Sequence, residues 1–435
     1  MQLAIVGFIL MVVLMVVLIK EKLSPPIAFI LLPVIAAAVA GFSAEEIGGF
    51  VGTGMKTMLS TAVLFIFSIS YFTLMSEEGL FDPIINFLIK SIGKSVTTVL
   101  FAIVLVTFVA HLDGSGATTF LIVVPAFLPI CKKLKVRPEA LLATMCGMYA
   151  VMNIVPWGGP TMRAASVAEI EVSELYNFIL PGVVVLAVMA FVNALVVARI
   201  EKKHGACIPD GGLLQAEVAD EKENAQAKRS KGRYFFNLGL TVVILVFLFV
   251  DIGLPLYFIF MVAFSIALAV NYPSVKEQTK KIKSYAGNAM VMTMTLFSVG
   301  VFMGVIKDSG MVEAMANALV SILPSFLTPH LHWFLALFAV PLLMILGTDA
   351  FYYALLPIII SVVSQFGISP ETVAATFLLT ATYGTPISPS VAAVYVGLGL
   401  TDVSIGNHIK YSLRLMWPAS IVVLVVSTLL GVIKF

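Results

Sequence analysis

Residues 153–161 read Asn-Ile-Val-Pro-Trp-Gly-Gly-Pro-Thr, and residues 382–390 read Thr-Tyr-Gly-Thr-Pro-Ile-Ser-Pro-Ser. Each stretch interrupts a long apolar run. Proline removes an intrahelical hydrogen bond and glycine relaxes the backbone, so a helix passing through either stretch is expected to be discontinuous. At membrane depth, unwound backbone is tolerated only where it is buried in protein or lines a cavity.

Upstream of each break lies a second kind of interruption. The apolar stretch 97–131 is broken by Asp113-Gly114-Ser115-Gly116 and runs into Lys132, Lys133, Lys135 and Arg137. It is shorter than the roughly 40 apolar residues that two full crossings need, and reads as a re-entrant hairpin. The stretch 333–366, interrupted around Gly347-Thr348-Asp349, reads the same way. Counted from position 234, Asp349 is residue 116 of the second half against 113 for Asp113, and Pro386 is residue 153 against 160 for Pro160. Paired interruptions at corresponding positions point to a transporter built from two repeats.

Composition agrees with that class. Of 435 residues, 60% are apolar and 11% are charged, against about 45–50% and about 25% in soluble proteins. This excludes a cytosolic enzyme, a nucleic-acid binder and a disordered chain. Segment 201–233 holds 13 of the charges and reads as a solvated linker, with 200 residues before it and 202 after it. The expected architecture is an all-α polytopic membrane protein: an inverted repeat of 1–200 and 234–435, each half with about five transmembrane helices and one re-entrant hairpin. The run 2–19 has no positive charge before it, and Lys20 and Lys22 follow it. It reads as a first membrane helix with its N-terminus outside rather than as a cleaved leader. On that topology 22 of the 26 Lys and Arg fall on the cytoplasmic side, linker included; Lys56, Arg163, Lys307 and Lys434 are the exceptions. With an odd number of crossings per half, the two hairpins enter from opposite faces and their tips meet near the midplane. Cys131, Cys146 and Cys207 have no metal-ligand spacing and make no disulfide framework.

Ionisable groups at membrane depth are costly and usually functional. Asp113 and Asp349 are therefore candidates for metal or proton coupling, beside the plainer role of capping a half-helix at the hairpin tip. Arg163, three residues past the first break, can clamp a carboxylate bidentately or sit as an interfacial arginine. Hydroxyl residues crowd the interruptions: Ser115, Thr118, Thr119, Thr161, Thr348, Thr382, Thr385, Ser388 and Ser390. Gly116, Pro156, Gly158, Gly159, Gly384 and Pro386 shape the backbone there, Trp157 can stack in the site or sit as an ordinary interfacial tryptophan, Tyr352 and Tyr353 follow the second tip, and His111 is a minor candidate for proton relay or metal ligation. Half-helix N-termini suit carboxylates, and unwound carbonyls suit cations. One arginine set against two aspartates fits a free tricarboxylate poorly and a divalent metal–citrate chelate better.

The segments LDGSGATTFLIVVPAFLPI (112–130), NIVPWGGPTMRAAS (153–166), LGTDAFYYALLPI (346–358) and YGTPISPSVAAVYVGLGL (383–400) resemble the CitMHS family of citrate–divalent-metal/proton symporters, within the ion-transporter superfamily. The string WGGPT-x-RAAS is the most specific, and the likeness runs through nearly the whole chain. The resemblance implies proton-coupled import of citrate carrying Mg, Ca or another divalent ion as part of the substrate, with no permanently bound cofactor. It also implies a homodimer in the cytoplasmic membrane and an elevator-like movement. By position, Asp113 to Thr119 and Thr348 to Tyr352 match the hairpin tips, and Pro156 to Thr161 and Gly384 to Ser390 match the breaks. Ser115 stands where family members often carry a second acidic residue, which leaves the preferred metal open. The competing readings are a sodium-coupled di- or tricarboxylate carrier, or another organic-anion carrier, of the same superfamily, and, from other classes, an intramembrane enzyme or a channel. Against those last two, no second acid–base group accompanies the aspartates, and a channel has no need of two dead-end hairpins.

Overall fold

The computed structural model describes residues 2–20, 22–90, 95–207, 231–250 and 253–435. Most of the expected linker, 208–230, lies outside the described residues. Among the described residues there are helices joined by turns and short irregular segments, and no strand.

The first half contains α1 (Gln2–Ile19), α2 (Pro25–Ala40), α3 (Ala44–Glu77), α4 (Asp82–Lys90), α5 (Val96–Ala110), α6 (Gly116–Lys133), α7 (Pro138–Met152), α8 (Gly159–Ala168) and α9 (Val172–Lys203). The second contains α10 (Lys231–Phe249), α11 (Leu256–Asn271), α12 (Val275–Asp308), α13 (Met311–Ile322), α14 (Leu331–Ala336), α15 (Ala339–Asp349), a π-helical turn (Ala350–Leu355), α16 (Leu356–Ser364), α17 (Pro370–Ala381), a 3-10 turn (Thr382–Ile387), α18 (Ala392–Thr401) and α19 (Ile405–Leu429). The two orders run in parallel: α3 and α12 each have 34 residues, and α8 and α18 each have 10. Among the described residues, six helical stretches are long and apolar enough to cross a membrane: 44–77, 116–133, 172–203, 289–308, 339–364 and 405–429. Shorter apolar helices such as α1, α2, α5 and α11 accompany them.

Two long helices form the spine. The capping box of Ser43 and Glu46 starts α3, with the Glu46 N–H donating to Ser43 Oγ at 3.3 Å and the Ser43 N–H to Glu46 Oε2 at 2.7 Å. Alpha-helices in lipid associate through close packing, which small residues permit. Here α3 crosses α12 at Gly54, Gly300 and Gly304. A methyl group on Gly54 would stand 1.9 Å from the Gly300 carbonyl oxygen, and one on Gly304 would stand 2.1 Å from that of Phe50. The partners are exchanged between the halves, since α2 packs on α12 and α11 packs on α3. One buried polar contact in this layer is reciprocal. The side chains of Asn237 and Asn271 join α10 to α11 by reciprocal amide bonds of 3.0 and 2.9 Å.

The expected hairpins and breaks hold the site. α5 and α6 form the first hairpin around residues 111–115. α15 reverses at Gly347 (φ 76, ψ 163), and the helix beyond continues through the π-helical turn into α16. α7 stops at Met152 and α8 starts at Gly159; α17 stops at Ala381 and α18 starts at Ala392. Behind them, Glu201 at the end of α9 is fully buried and takes the Arg137 side chain at 2.6 and 3.0 Å, the Arg137 N–H at 3.0 Å and the Tyr411 hydroxyl at 2.8 Å. This cluster ties the start of α7 to α9 and α19.

Candidate functional site

The first tip is held by its own polar residues. Asp113 Oδ1 accepts the Ser115 N–H at 2.8 Å, and Gly114 turns the chain at φ 70. Ser115 Oγ caps α6, accepting the Thr118 N–H at 3.3 Å and its hydroxyl at 2.8 Å. The Thr119 hydroxyl donates to Ser115 O at 2.8 Å, so it accepts at 2.6 Å from His111 Nδ1–H. That fixes His111 as the Nδ1–H tautomer and leaves Nε2 buried with no partner.

Each break is tied to the tip of its own half. The Trp157 indole N–H donates to Leu112 O at 2.8 Å, and its ring stacks on Phe72 with centroids 4.6 Å apart. Ser388 Oγ reaches Met344 O at 3.4 Å and Ser390 Oγ at 2.8 Å. The Pro386 carbonyl, freed by the second break, accepts from His408 Nε2 at 3.0 Å. The Thr382 hydroxyl donates across the halves to Ala150 O at 2.9 Å.

Between these four interruptions lies a cavity of about 690 Å³, a size that suits a small organic ligand. Its wall contains Gly114 and Gly116 of the first tip; Trp157, Gly159 and Pro160 of the first break; Leu346 to Ala350 of the second tip; and Thr385, Ser390 and Val391 of the second break. The α1–α2 corner and Phe65 and Ile69 of α3 close it on an apolar side. Neither α8 nor α18 has a side-chain cap at its N-terminus, and both begin at this wall. Backbone N–H groups at such an end, with the helix dipole behind them, favour anions.

The charged residues of the wall are Arg163 and Asp349. Arg163 Nε and Nη2 both reach Asp349 Oδ1 at 2.8 Å. The guanidinium stands over the Tyr353 ring, 5.8 Å from its centroid. Gly159 makes room for it, since a Cβ there would lie 2.6 Å from Nη1. Two polar side chains in the wall, Asn153 through Nδ2 and Thr385 through Oγ1, carry buried atoms with no hydrogen-bond partner. Among the described residues, no group of three His, Cys, Asp or Glu converges as a metal site.

Of the residues singled out from sequence, Gly116, Trp157, Gly159, Arg163, Thr348, Asp349 and Thr385 line the cavity. Asp113, Ser115 and Thr118 are spent on the tip's own turn, one layer back. Pro156 and Gly158 shape the first break, where the Gly158 N–H closes a 2.7 Å turn onto Val155 O. Gly384 packs against Val340 O and Leu343, and Pro386 and Ser388 make the contacts described above. Thr161 and Tyr352 are fully buried, with hydroxyls that have no partner. Tyr149 belongs to the wall and was not singled out. It lies four residues before Asn153, so both fall on one face of the last turn of α7. That spacing was readable as a polar pair pointing into the break. The apolar cover from α1, α2 and α3 carried no such signal.

A family model described as CitMHS, citrate transporter, matches residues 3–384. The chain is 34% identical over 437 residues to a Bacillus subtilis (strain 168) protein named citrate transporter, with 100% of both chains covered. It is 32% identical over 440 residues to one from the same organism named Mg(2+)/citrate complex secondary transporter, covering 100% of this chain and 99% of that one. Among solved structures, the YdaH transporter of Alcanivorax borkumensis shares the fold, with a TM-score of 0.59 at 15% identity over 89% of this chain and 88% of that one.

Proposed function

This chain belongs to the CitMHS family of citrate transporters, and from that premise we propose that it imports citrate as a complex with a divalent metal, coupled to protons. The observation that carries the reading is the cavity itself. It is lined by both tips and both breaks, and its wall sets one arginine against one carboxylate. Free citrate would bring three negative charges to a wall that is already balanced. A divalent ion held by citrate's own carboxylates and hydroxyl cancels two of them. The remaining carboxylate charge suits Arg163 and the uncapped N-termini of α8 and α18. The name of the Bacillus subtilis Mg(2+)/citrate relative supports the same substrate.

The parallel element order supports two halves of inverted topology, with α3 and α12 as a scaffold. The hairpins and broken helices then form a unit that carries the cavity across, in the manner of an elevator, within a homodimer in the cytoplasmic membrane. A cytoplasmic linker fits the basic residues of 199–233.

Uptake of labelled citrate into proteoliposomes tests this reading, with Mg, Ca and other divalent ions exchanged and pH and sodium gradients imposed separately. Uptake should rise with a suitable metal and collapse with a proton uncoupler. Uptake that survives metal chelation, or that requires sodium and ignores the uncoupler, rejects the reading in favour of a sodium-coupled carrier.

A further inference from the structure

We propose that Asp349 is a tethered stand-in for the substrate's carboxylate: it occupies Arg163 in the empty carrier, and a carboxylate of the arriving substrate displaces it. The inference rests on the transport reading above and deepens it by naming the residue that the ligand must compete with.

The geometry separates a fixed partner from a movable one. Arg163 is 7% exposed. It is held in the middle of α8 between the Gly159 backbone and the Tyr353 ring. A buried guanidinium left without an anion is strongly destabilising. Asp349, by contrast, keeps 25% of its side chain exposed and follows Gly347, where the backbone takes a conformation that favours glycine. Arg163 spends both Nε and Nη2 on the one oxygen Oδ1. A free carboxylate placed in the cavity can meet the same edge with two oxygens, the stronger bidentate arrangement.

The surroundings provide for the rest of such a ligand. Asn153, Thr385 and the uncapped ends of α8 and α18 line the same cavity. Among the described residues, the cavity wall brings no other charged side chain to the pair. α1 has no titratable side chain, and the one acid of α17, Glu371, is in its first turn, at the far end from the break. His332 of α14 bonds Lys434 O, and His408 and Tyr411 of α19 bond Pro386 O and Glu201. Tyr352 and Tyr353 contribute neutral phenols. Arg163 is therefore always matched by one carboxylate, either Asp349 or the substrate's. Displacement leaves Asp349 to be met by a cation, which links anion binding to cation uptake in one site.

Binding of citrate with Mg to the purified full-length chain is the test, read by calorimetry and by the shift in melting temperature. Asp349→Asn keeps the shape and removes the competing charge. It should bind about tenfold tighter, the ratio that ~1.4 kcal/mol of displaced pairing gives, with a larger citrate-induced shift than the unsubstituted chain. The double variant Arg163→Gln with Asp349→Asn replaces the pair by uncharged groups and should lose that gain. A folded Asp349→Asn protein that binds citrate no more tightly than the unsubstituted chain overturns the proposal. If the unsubstituted chain responds to citrate with no divalent metal at all, it is the transport reading that fails.

Discussion

Arg163 and Asp349 lie 186 positions apart in the chain, one in each half, yet the guanidinium Nε is 2.8 Å from the carboxylate Oδ1. The pair joins a broken helix of the first half to the hairpin tip of the second at the wall of the cavity.

Asp113 and Asp349 occupy corresponding tips but have different partners, and their asparagine variants should separate the roles. An asparagine at 113 retains an oxygen that can accept the Ser115 N–H, so the turn persists, whereas Asp113→Ala should lose about 1 kcal/mol of stability with the cap. Both Asp113→Asn and Asp349→Asn should insert normally and accumulate less citrate against a gradient in proteoliposomes. Normal uptake kinetics in both would make the aspartates structural caps and nothing more.

Asn153 and Thr385 are polar residues of the cavity wall. Replacing such a group removes a hydrogen bond to a charged ligand, worth about 1.5–3 kcal/mol. Asn153→Ala and Thr385→Val should each raise the KM for citrate uptake roughly tenfold or more. An unchanged KM in both would place the ligand elsewhere.

How far this site was legible depended on whether its chemistry left a trace in residue type. Proline and glycine at the breaks, and aspartates inside apolar runs, announce themselves because lipid makes each of them expensive, and the structure puts both kinds of interruption around one cavity. The roles within each tip were less legible. Ser115 and Thr118 look like ligand donors in sequence, but an N-cap needs the same hydroxyls. Trp157 looked available for stacking on a ligand; its N–H and ring are spent on Leu112 and Phe72. The partnership of Arg163 with Asp349 had no local signal, because it joins two segments that only the folded arrangement brings together. The cover from the α1–α2 corner and α3 is apolar, like any lipid-facing residue, and could not be told from one.

Glu201 should be a stability residue rather than a transport residue. Its carboxylate collects four donors from Arg137 and Tyr411 while fully buried, at the point where α7, α9 and α19 meet. Glu201→Ala leaves those donors without an acceptor and should cost about 2–3 kcal/mol, moderated by the exposure of Arg137. Thermal unfolding of the detergent-solubilised protein should show the loss, with KM unaffected in the fraction that remains folded.

The crossing of α3 with α12 has the least tolerance in the fold. At Gly54 the obstacle to a side chain is the backbone of the partner helix itself, 1.9 Å away, with no rotamer that can move aside. Gly54→Ala must therefore separate the two spine helices over their length and cost more than the about 1–3 kcal/mol of ordinary overpacking. Gly52, two residues away on the same helix, has nothing within 4 Å of the equivalent position, so Gly52→Ala should be neutral or slightly stabilising. Expression level and melting temperature of the two variants, measured side by side, distinguish a requirement for close approach at one position from a general sensitivity of α3. Equal behaviour of the two would mean that the helices do not meet at Gly54.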